Sequence, residues 1–397
     1  LLRDLAQIDS KGTLQNVQHN ITYQGFGADG GGHSSGILIL LDKFTATHRR
    51  LAESASHQAG FAMSRPSLGR KSVKSMIRKS LFGAFLFVLQ ATFMTKAIAM
   101  IEGADDRSEV STSAFAQHIA HSVAVMASPV FFTVDESQTT HLNFPNISTT
   151  SSHNLCPEQK FGNQPSATVS CTGFLVAPDL LVTAGHCMVN TGEVKHVVNP
   201  QCQQFDWFFG FQYGENGTIQ SDIPPDRHYK CKEVIYAIQD THWDSQTNTS
   251  LFHEDFALIR LDRPVTGRAP LPLTTSQIKV GDQITMVSHP LGLPAKFTNN
   301  ATVTFNDAQE YFRSDLDAVM GDSGAPVLNV AGQVDGLLVR RFPSADLLDD
   351  PHGRECSIYA HCDGASCNDP KYPRGAHITR LDRLRPIIVE ALHSPRP

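Results

Sequence analysis

The chain has 397 residues and a formal net charge of −6, with 41% apolar and 18% charged residues. That composition excludes an intrinsically disordered polymer, and the mild acidity excludes a strongly basic nucleic-acid binder as a first reading. The length suffices for one large domain or two to three modest ones, each with a buried core.

Charge is spread unevenly along the chain. Residues 1–100 carry 12 Lys/Arg and 5 Asp/Glu, whereas residues 101–397 carry 21 and 34. Two such regions are expected to be separate units. The sequence opens on Leu1 rather than Met, and residues 1–75 show no sustained hydrophobic period. They include a Gly run, Gly30 to Gly32, and the basic Arg70, Lys71 and Lys74. This stretch is expected to be disordered, or not to belong to the native protein. Residues 76–99 read differently. Arg78 and Lys79 are basic, residues 81–94 are mostly apolar, and Ala97-Ile98-Ala99 offers small residues where a signal peptidase reads. The layout predicts a cleaved signal peptide over 76–99. A membrane anchor is the alternative, but the apolar run has 14 residues, and a spanning helix needs about 20. Residues 100–160 then form an N-terminal segment or propeptide leading into the fold.

Further along, short runs rich in Val, Ile and Phe alternate with Gly, Pro, Asn and Asp. Strands are predicted at 169–176, 180–183, 205–213, 232–237, 256–261, 283–287, 301–305, 325–329 and 334–340. Regular short strands of this kind indicate an all-β sandwich or barrel. A closing helix is predicted, with Thr379 and Asp382 as a capping-box-like pair and Leu384, Ile387, Ile388 and Leu392 as its buried stripe. Pro386 is expected to kink it or to move its start. No internal repeat and no phosphate-binding GxxxxGK[ST] loop is present.

All 8 Cys lie between Cys156 and Cys367. An even count confined to one region points to disulfides and an oxidising compartment. Proximity suggests Cys202 with Cys231. Cys356, Cys362, Cys367 and His361 are residue types that a zinc site uses, but in a secreted chain disulfides are the expected use.

Three stretches carry chemistry: "LVTAGHC" with His186, "DFALIRL" opening on Asp255, and "GDSGAPV" around Ser323. Singly, each has a bland reading: a structural histidine, a turn aspartate, a tight Gly turn. In the order His, Asp, Ser they form a nucleophile set. A Ser hydroxyl needs a base to take its proton, His suits that task, and a buried carboxylate fixes the tautomer. Glycines beside Ser323 let the N–H groups of Gly321 and Ser323 point at one spot, where an oxyanion can bind. The order differs from the Ser, Asp/Glu, His order of α/β-hydrolases.

These motifs resemble the His, Asp and Ser motifs of chymotrypsin/trypsin-like serine peptidases, over roughly residues 160–345. The resemblance implies two six-stranded antiparallel β-barrels with the active site between them and a C-terminal helix, a peptidase domain over 161–397. It also implies a disulfide between Cys171 and Cys187. A finer resemblance is to bacterial secreted members related to glutamyl endopeptidases. "IEGADDR" at 101–107, "SDLDAVMGDSGAPVLN" and "VSHPLGLPAK" at 287–296 carry it. The departures are Asp322 where Asn is more usual, Ser288 where Gly is usual, Val319 in place of a pocket cysteine, and no IVGG activation site. By the resemblance Asp322 pairs with a freed N-terminal ammonium; the alternative is another cation or a turn cap.

Asp317, six residues before Ser323, stands where trypsin-like enzymes of basic specificity place the acid of the primary pocket, with Ala318 beside it. The resemblance therefore implies Arg or Lys before the scissile bond. The alternative is a structural Asp317 bonded to backbone, and Arg340 or Arg341 near the pocket wall is expected to neutralise it. A Glu-specific pocket fits less well, since Ala318 and Leu338 stand where that group has Thr or Ser and His. The expected function is a secreted (extracellular or periplasmic) serine endopeptidase. Ser323 is the nucleophile, His186 the base and Asp255 the orienting carboxylate. It acts as a monomer on protein or peptide substrates, with no metal or cofactor, no nucleic acid and no stable membrane association. The rivals are an inactive homologue that serves as a binding module and a membrane-anchored protease.

Overall fold

The computed structural model describes residues 101–393 except 151–152, 169–170, 245–248, 343–346 and 363–374. The expected signal peptide, the segment upstream of it and Cys367 lie outside the described residues. Twelve strands close into two antiparallel barrels. The first holds β1 (Val123–Ala127), β2 (Thr172–Ala177), β3 (Leu180–Thr183), β4 (Asp206–Phe209), β5 (His228–Asp244) and β6 (Thr249–Leu261). The second holds β7 (Gln283–Ser288), β8 (Lys296–Phe305), β9 (Tyr311–Ser314), β10 (Pro326–Asn329), β11 (Val334–Phe342) and β12 (Gly375–Arg380). Around the first barrel the order is β1-β2-β3-β6-β5-β4, and around the second β7-β8-β9-β12-β11-β10. The two orders are the same. The repeat absent from the sequence is thus a repeat of topology, which closed hydrogen bonding enforces without shared side chains.

Closure removes most sheet edges, and short strands cover what is left. Gly192–Val197 pairs with β5, and Ser108–Glu109 pairs with the start of β8. The second pairing carries a buried ion pair, Lys296 Nζ to Glu109 Oε2 at 3.0 Å, with Lys296 fully buried. Burial pushes that ammonium down to about 8, against the pull of Glu109. The fold therefore starts earlier than a boundary at residue 161. Ser108–Glu109 pairs with β8 and β1 is a barrel strand, so residues before 161 contribute to both barrels.

Every predicted strand has a counterpart, often longer. β5 and β6 form a long hairpin where two short runs are expected from sequence. β1, β9 and β12 are additions. β1 is buried at all its positions, so it lacks the alternation that marks a half-exposed strand.

The closing helix α1 (Leu381–His393) buries Leu381, Leu384, Ile388 and Ala391. This corrects the expected stripe: Leu392 is exposed and Ile387 half-buried. Pro386 lies inside the helix. Asp382 sits in its first turn, but Thr379 is not its cap, because the Thr379 hydroxyl donates to the Asp255 carbonyl at 3.2 Å. Arg260 on β6 holds the far end. Its Nη1 is 2.8 Å from Asp179, its Nε 3.1 Å from Glu233, and its Nη2 donates to the Ala391 carbonyl at 3.3 Å.

Disulfides join Cys156 to Cys356, Cys171 to Cys187 and Cys202 to Cys231. Cys356 is thus a disulfide partner and no zinc ligand. The Cys171–Cys187 bond closes a separation of 16 residues around β2 and β3, a constraint worth about 3 kcal/mol to the folded state. No helix among the described residues is long and apolar enough to cross a membrane.

Candidate active site

β3 ends at Thr183 and the chain turns through Gly185, His186 and Cys187. Ala257 of β6 pairs with Thr183, which sets Asp255, two residues earlier on β6, beside this turn. The fit is tight. A β-carbon on Gly185 would lie 1.8 Å from the Ile238 carbonyl oxygen, so glycine is required before His186. Asp255 is 2% exposed and holds His186 at two points. Oδ1 accepts from the His186 N–H at 3.0 Å, and Oδ2 lies 2.9 Å from Nδ1. A carboxylate at Nδ1 puts the ring proton there and leaves Nε2 as an acceptor. Burial alone would raise the Asp255 carboxyl. His186 and then Arg340 outweigh it and hold the group below its ordinary range.

Ser323 reaches the same place from the second barrel. Its carbonyl accepts from the Thr172 N–H at 2.8 Å, and the disulfide joins Cys171, next to Thr172, to Cys187, next to His186. A β-carbon on Gly324, at φ +89°, would lie 2.4 Å from Thr183 Oγ1 and 2.7 Å from the Ala184 nitrogen. Ser323 is therefore pressed against the turn that carries His186. Among the described residues no hydrogen bond joins the two side chains; such bonds often tighten when substrate binds.

Gly321 has φ +97°, and a β-carbon there would meet the His289 carbonyl at 2.5 Å. The Met320 carbonyl accepts from the Leu291 N–H at 2.5 Å. Because the peptide is trans, the Gly321 N–H points away from that loop. Thr172 Oγ1 donates to the Gly321 carbonyl at 2.8 Å and accepts from the His289 N–H at 3.0 Å. Among the described residues neither the Gly321 N–H nor the Ser323 N–H has a protein acceptor. Two unengaged donors beside a Ser hydroxyl suit an oxyanion. The 287–296 loop thus buttresses this corner. His289 is buried, and burial pushes it down to about 4, so it is neutral.

The Ser323 loop is also tied from below. Asp322 is fully buried, and its Oδ2 accepts from the Val319 N–H at 2.7 Å. Burial alone would lower the neighbouring Arg107, but Tyr359, Asp105 and Asp322 together raise it. Arg107 is bonded to Asp105 at 2.9 and 2.6 Å, and the Ile101 N–H donates to the Ala360 carbonyl at 3.0 Å. The Arg107 guanidinium is thus one charge that acts on Asp322.

Asp317 is placed differently from the expectation. It is 4% exposed, and its oxygens accept from the Glu102 N–H at 2.9 Å and the Asp106 N–H at 3.4 Å. Ala318 is 2% exposed and lies in the core of the second barrel. Asp317 thus spends both oxygens on backbone N–H groups, which its structural reading expects. Arg341 goes to Glu102 and to the Leu316 carbonyl, and its charge acts on Asp317 as expected; Arg340 goes to Asp255. Burial and then the Asp317 charge push Asp106 up to about 7, and burial pushes Asp317 up to about 6. Acids raised in the folded state keep protons that the unfolded chain releases above about pH 4. Their contribution is therefore full at low pH and falls as pH rises towards about 7. Thermal unfolding across that range should show a shallower decline for Asp106→Asn than for wild type. Identical slopes would remove the pair as its cause.

Sequence reasoning expects Arg340 beside Asp317 and Thr379 as a helix cap, and misses the place of both at Asp255. The Arg340-Arg341 pair at the end of a predicted strand is a signal that buried acids lie nearby; nothing marks Thr379 for Asp255. The Cys171 and Cys187 sulfurs lie near His186, but they are bonded to each other and offer no thiolate.

A family model described as a trypsin-like peptidase domain matches residues 171–337. No curated protein matches the chain. Solved structures are similar at low identity. A Glu endopeptidase in complex with MPD shares 15% identity at TM-score 0.41, covering 75% of this chain and 100% of that one. The active form of the Rv3671c protease from M. tuberculosis shares 13% at TM-score 0.37, covering 76% and 93%. Human heparin binding protein shares 15% at TM-score 0.38, covering 71% and 95%.

Proposed function

With residues 171–337 as a trypsin-like peptidase domain, we propose that this chain is a serine endopeptidase with His186, Asp255 and Ser323 as its triad. One observation carries the reading: the buried Asp255 grips both the ring and the backbone of His186, beside the loop that presents Ser323 between two unengaged N–H donors. Ser323 Oγ attacks the substrate carbonyl carbon while His186 Nε2 takes its proton. The oxyanion is held by the Gly321 and Ser323 N–H groups. On collapse the C–N bond breaks, and His186 returns the proton to the leaving amine. Water, deprotonated by His186, then attacks the acyl ester and frees Ser323. A fluorophosphonate probe should label the purified, oxidised protein at Ser323, and no label should appear on Ser323→Ala. Absence of labelling from folded wild type favours the binding-module rival.

The protein acts outside the cytoplasm as a monomer, without stable membrane association, on protein or peptide substrates. The disulfides and the 76–99 layout support that location. N-terminal sequencing of the secreted form should begin at Met100 or later. Recovery of secreted protein that retains residues 81–94 overturns the signal assignment and favours the anchor.

A further inference from the structure

A second partner sits on the Asp255 carboxylate. Arg340 Nη2 donates to Asp255 Oδ2 at 2.6 Å, the same oxygen that faces His186 Nδ1 at 2.9 Å. Arg340 comes from the other barrel. Along β11 and β12 the register runs Leu338↔Ile378 and then Arg340↔His377, so Val339 is an extra residue in the ladder. A bulge of this kind re-aims the side chain that follows it. Arg340, 13% exposed, is thereby turned onto Asp255, 2% exposed. Among the described residues, the charged and titratable groups that act most on Asp255 are His186, from the turn after β3, and Arg340, from β11. β12 adds the neutral Thr379 hydroxyl at its main-chain carbonyl, and β5 presents Gln239 in register.

A buried ion pair by itself is weak evidence of any role beyond packing. This one shares an oxygen with the proposed base, which a merely structural pair has no need to do. On the triad reading above, we propose that Arg340 is a positioning residue. It clamps Oδ2 of Asp255, and its charge reduces the proton affinity of the Asp255–His186 couple.

The test is the pH profile of kcat/KM on a chromogenic ester or peptide for wild type, R340Q and R340K, with S323A as blank and circular dichroism as the check on folding. Removing a cation this close should move the acid limb of R340Q up by about one pH unit. R340K keeps the charge without the planar fork, so its limb should stay near wild type while its plateau falls. An unmoved acid limb in folded R340Q overturns the proposal. If R340Q does not fold, R340K decides: a limb displaced by about a full unit despite the retained charge overturns it, and a limb that stays with a lowered plateau supports it. Turnover by the S323A blank at the wild-type rate would instead defeat the triad reading, so the two failures are distinguishable.

Discussion

Ser323→Ala is expected to reduce kcat by about 10⁶, the scale seen when a serine peptidase loses its nucleophile. That corresponds to about 8 kcal/mol of transition-state stabilisation. On the proposed mechanism the loss is so large because the hydroxyl oxygen forms the bond, and its base and oxyanion donors do little without it. His186→Ala should be nearly as damaging, since the two act as one unit, and the double variant should add little. The residual rate should still exceed that of water, because the Gly321 and Ser323 N–H donors survive both changes. Both side chains are partly exposed, so neither truncation leaves a large cavity and the variants should fold. Steady-state kinetics on protein purified free of other proteases is the measurement. Hydrolysis by either variant within tenfold of wild type ends the assignment.

Asp255→Asn is expected to lower kcat by about 10⁴ and, unlike Ser323→Ala, to cost stability as well. Asp255 accepts from the His186 N–H and from Arg340, and faces His186 Nδ1. An amide has one acceptor oxygen and one donor nitrogen. Whichever way it lies, a donor faces a donor, or the imidazole is driven to the wrong tautomer. The mostly buried Arg340 guanidinium meanwhile loses its bond to a charged oxygen. Breaking such a pair from one side costs about 3–5 kcal/mol. Both losses can be read on one preparation, kcat from turnover and stability from denaturant unfolding. A folded Asp255→Asn with more than a tenth of wild-type kcat would show that Asp255 does not orient the base. Unchanged unfolding with a collapsed kcat would show that Arg340 finds another partner.

Local sequence sufficed wherever the deciding interactions lie within a few residues. β2 and β3 are legible because apolar residues crowd between turn residues, and the Gly-rich motifs are legible because Gly185, Gly321 and Gly324 answer immediate backbone clashes. The three motifs announce their chemistry for the same reason: each packs a reactive side chain beside the glycines or apolar residues that place it. β9, with Tyr311 and Arg313 among its four residues, escapes notice because its neighbours in the barrel, not its own pattern, make it a strand.

What the tertiary structure alone decided are contacts between segments far apart in the chain. Arg340 finds Asp255 across 85 residues, Thr379 finds it across 124, and Asp317 finds Glu102 across 215. None of these is encoded in local periodicity, because barrel closure and a one-residue bulge in β11 determine which side chains meet. Hence the sequence by itself singled out His186, Asp255 and Ser323, the residues of the proposed triad, by type and order. Asp317 bonds to backbone and Arg340 turns to Asp255 because closing the two barrels puts those polar atoms where they must be satisfied once water is excluded.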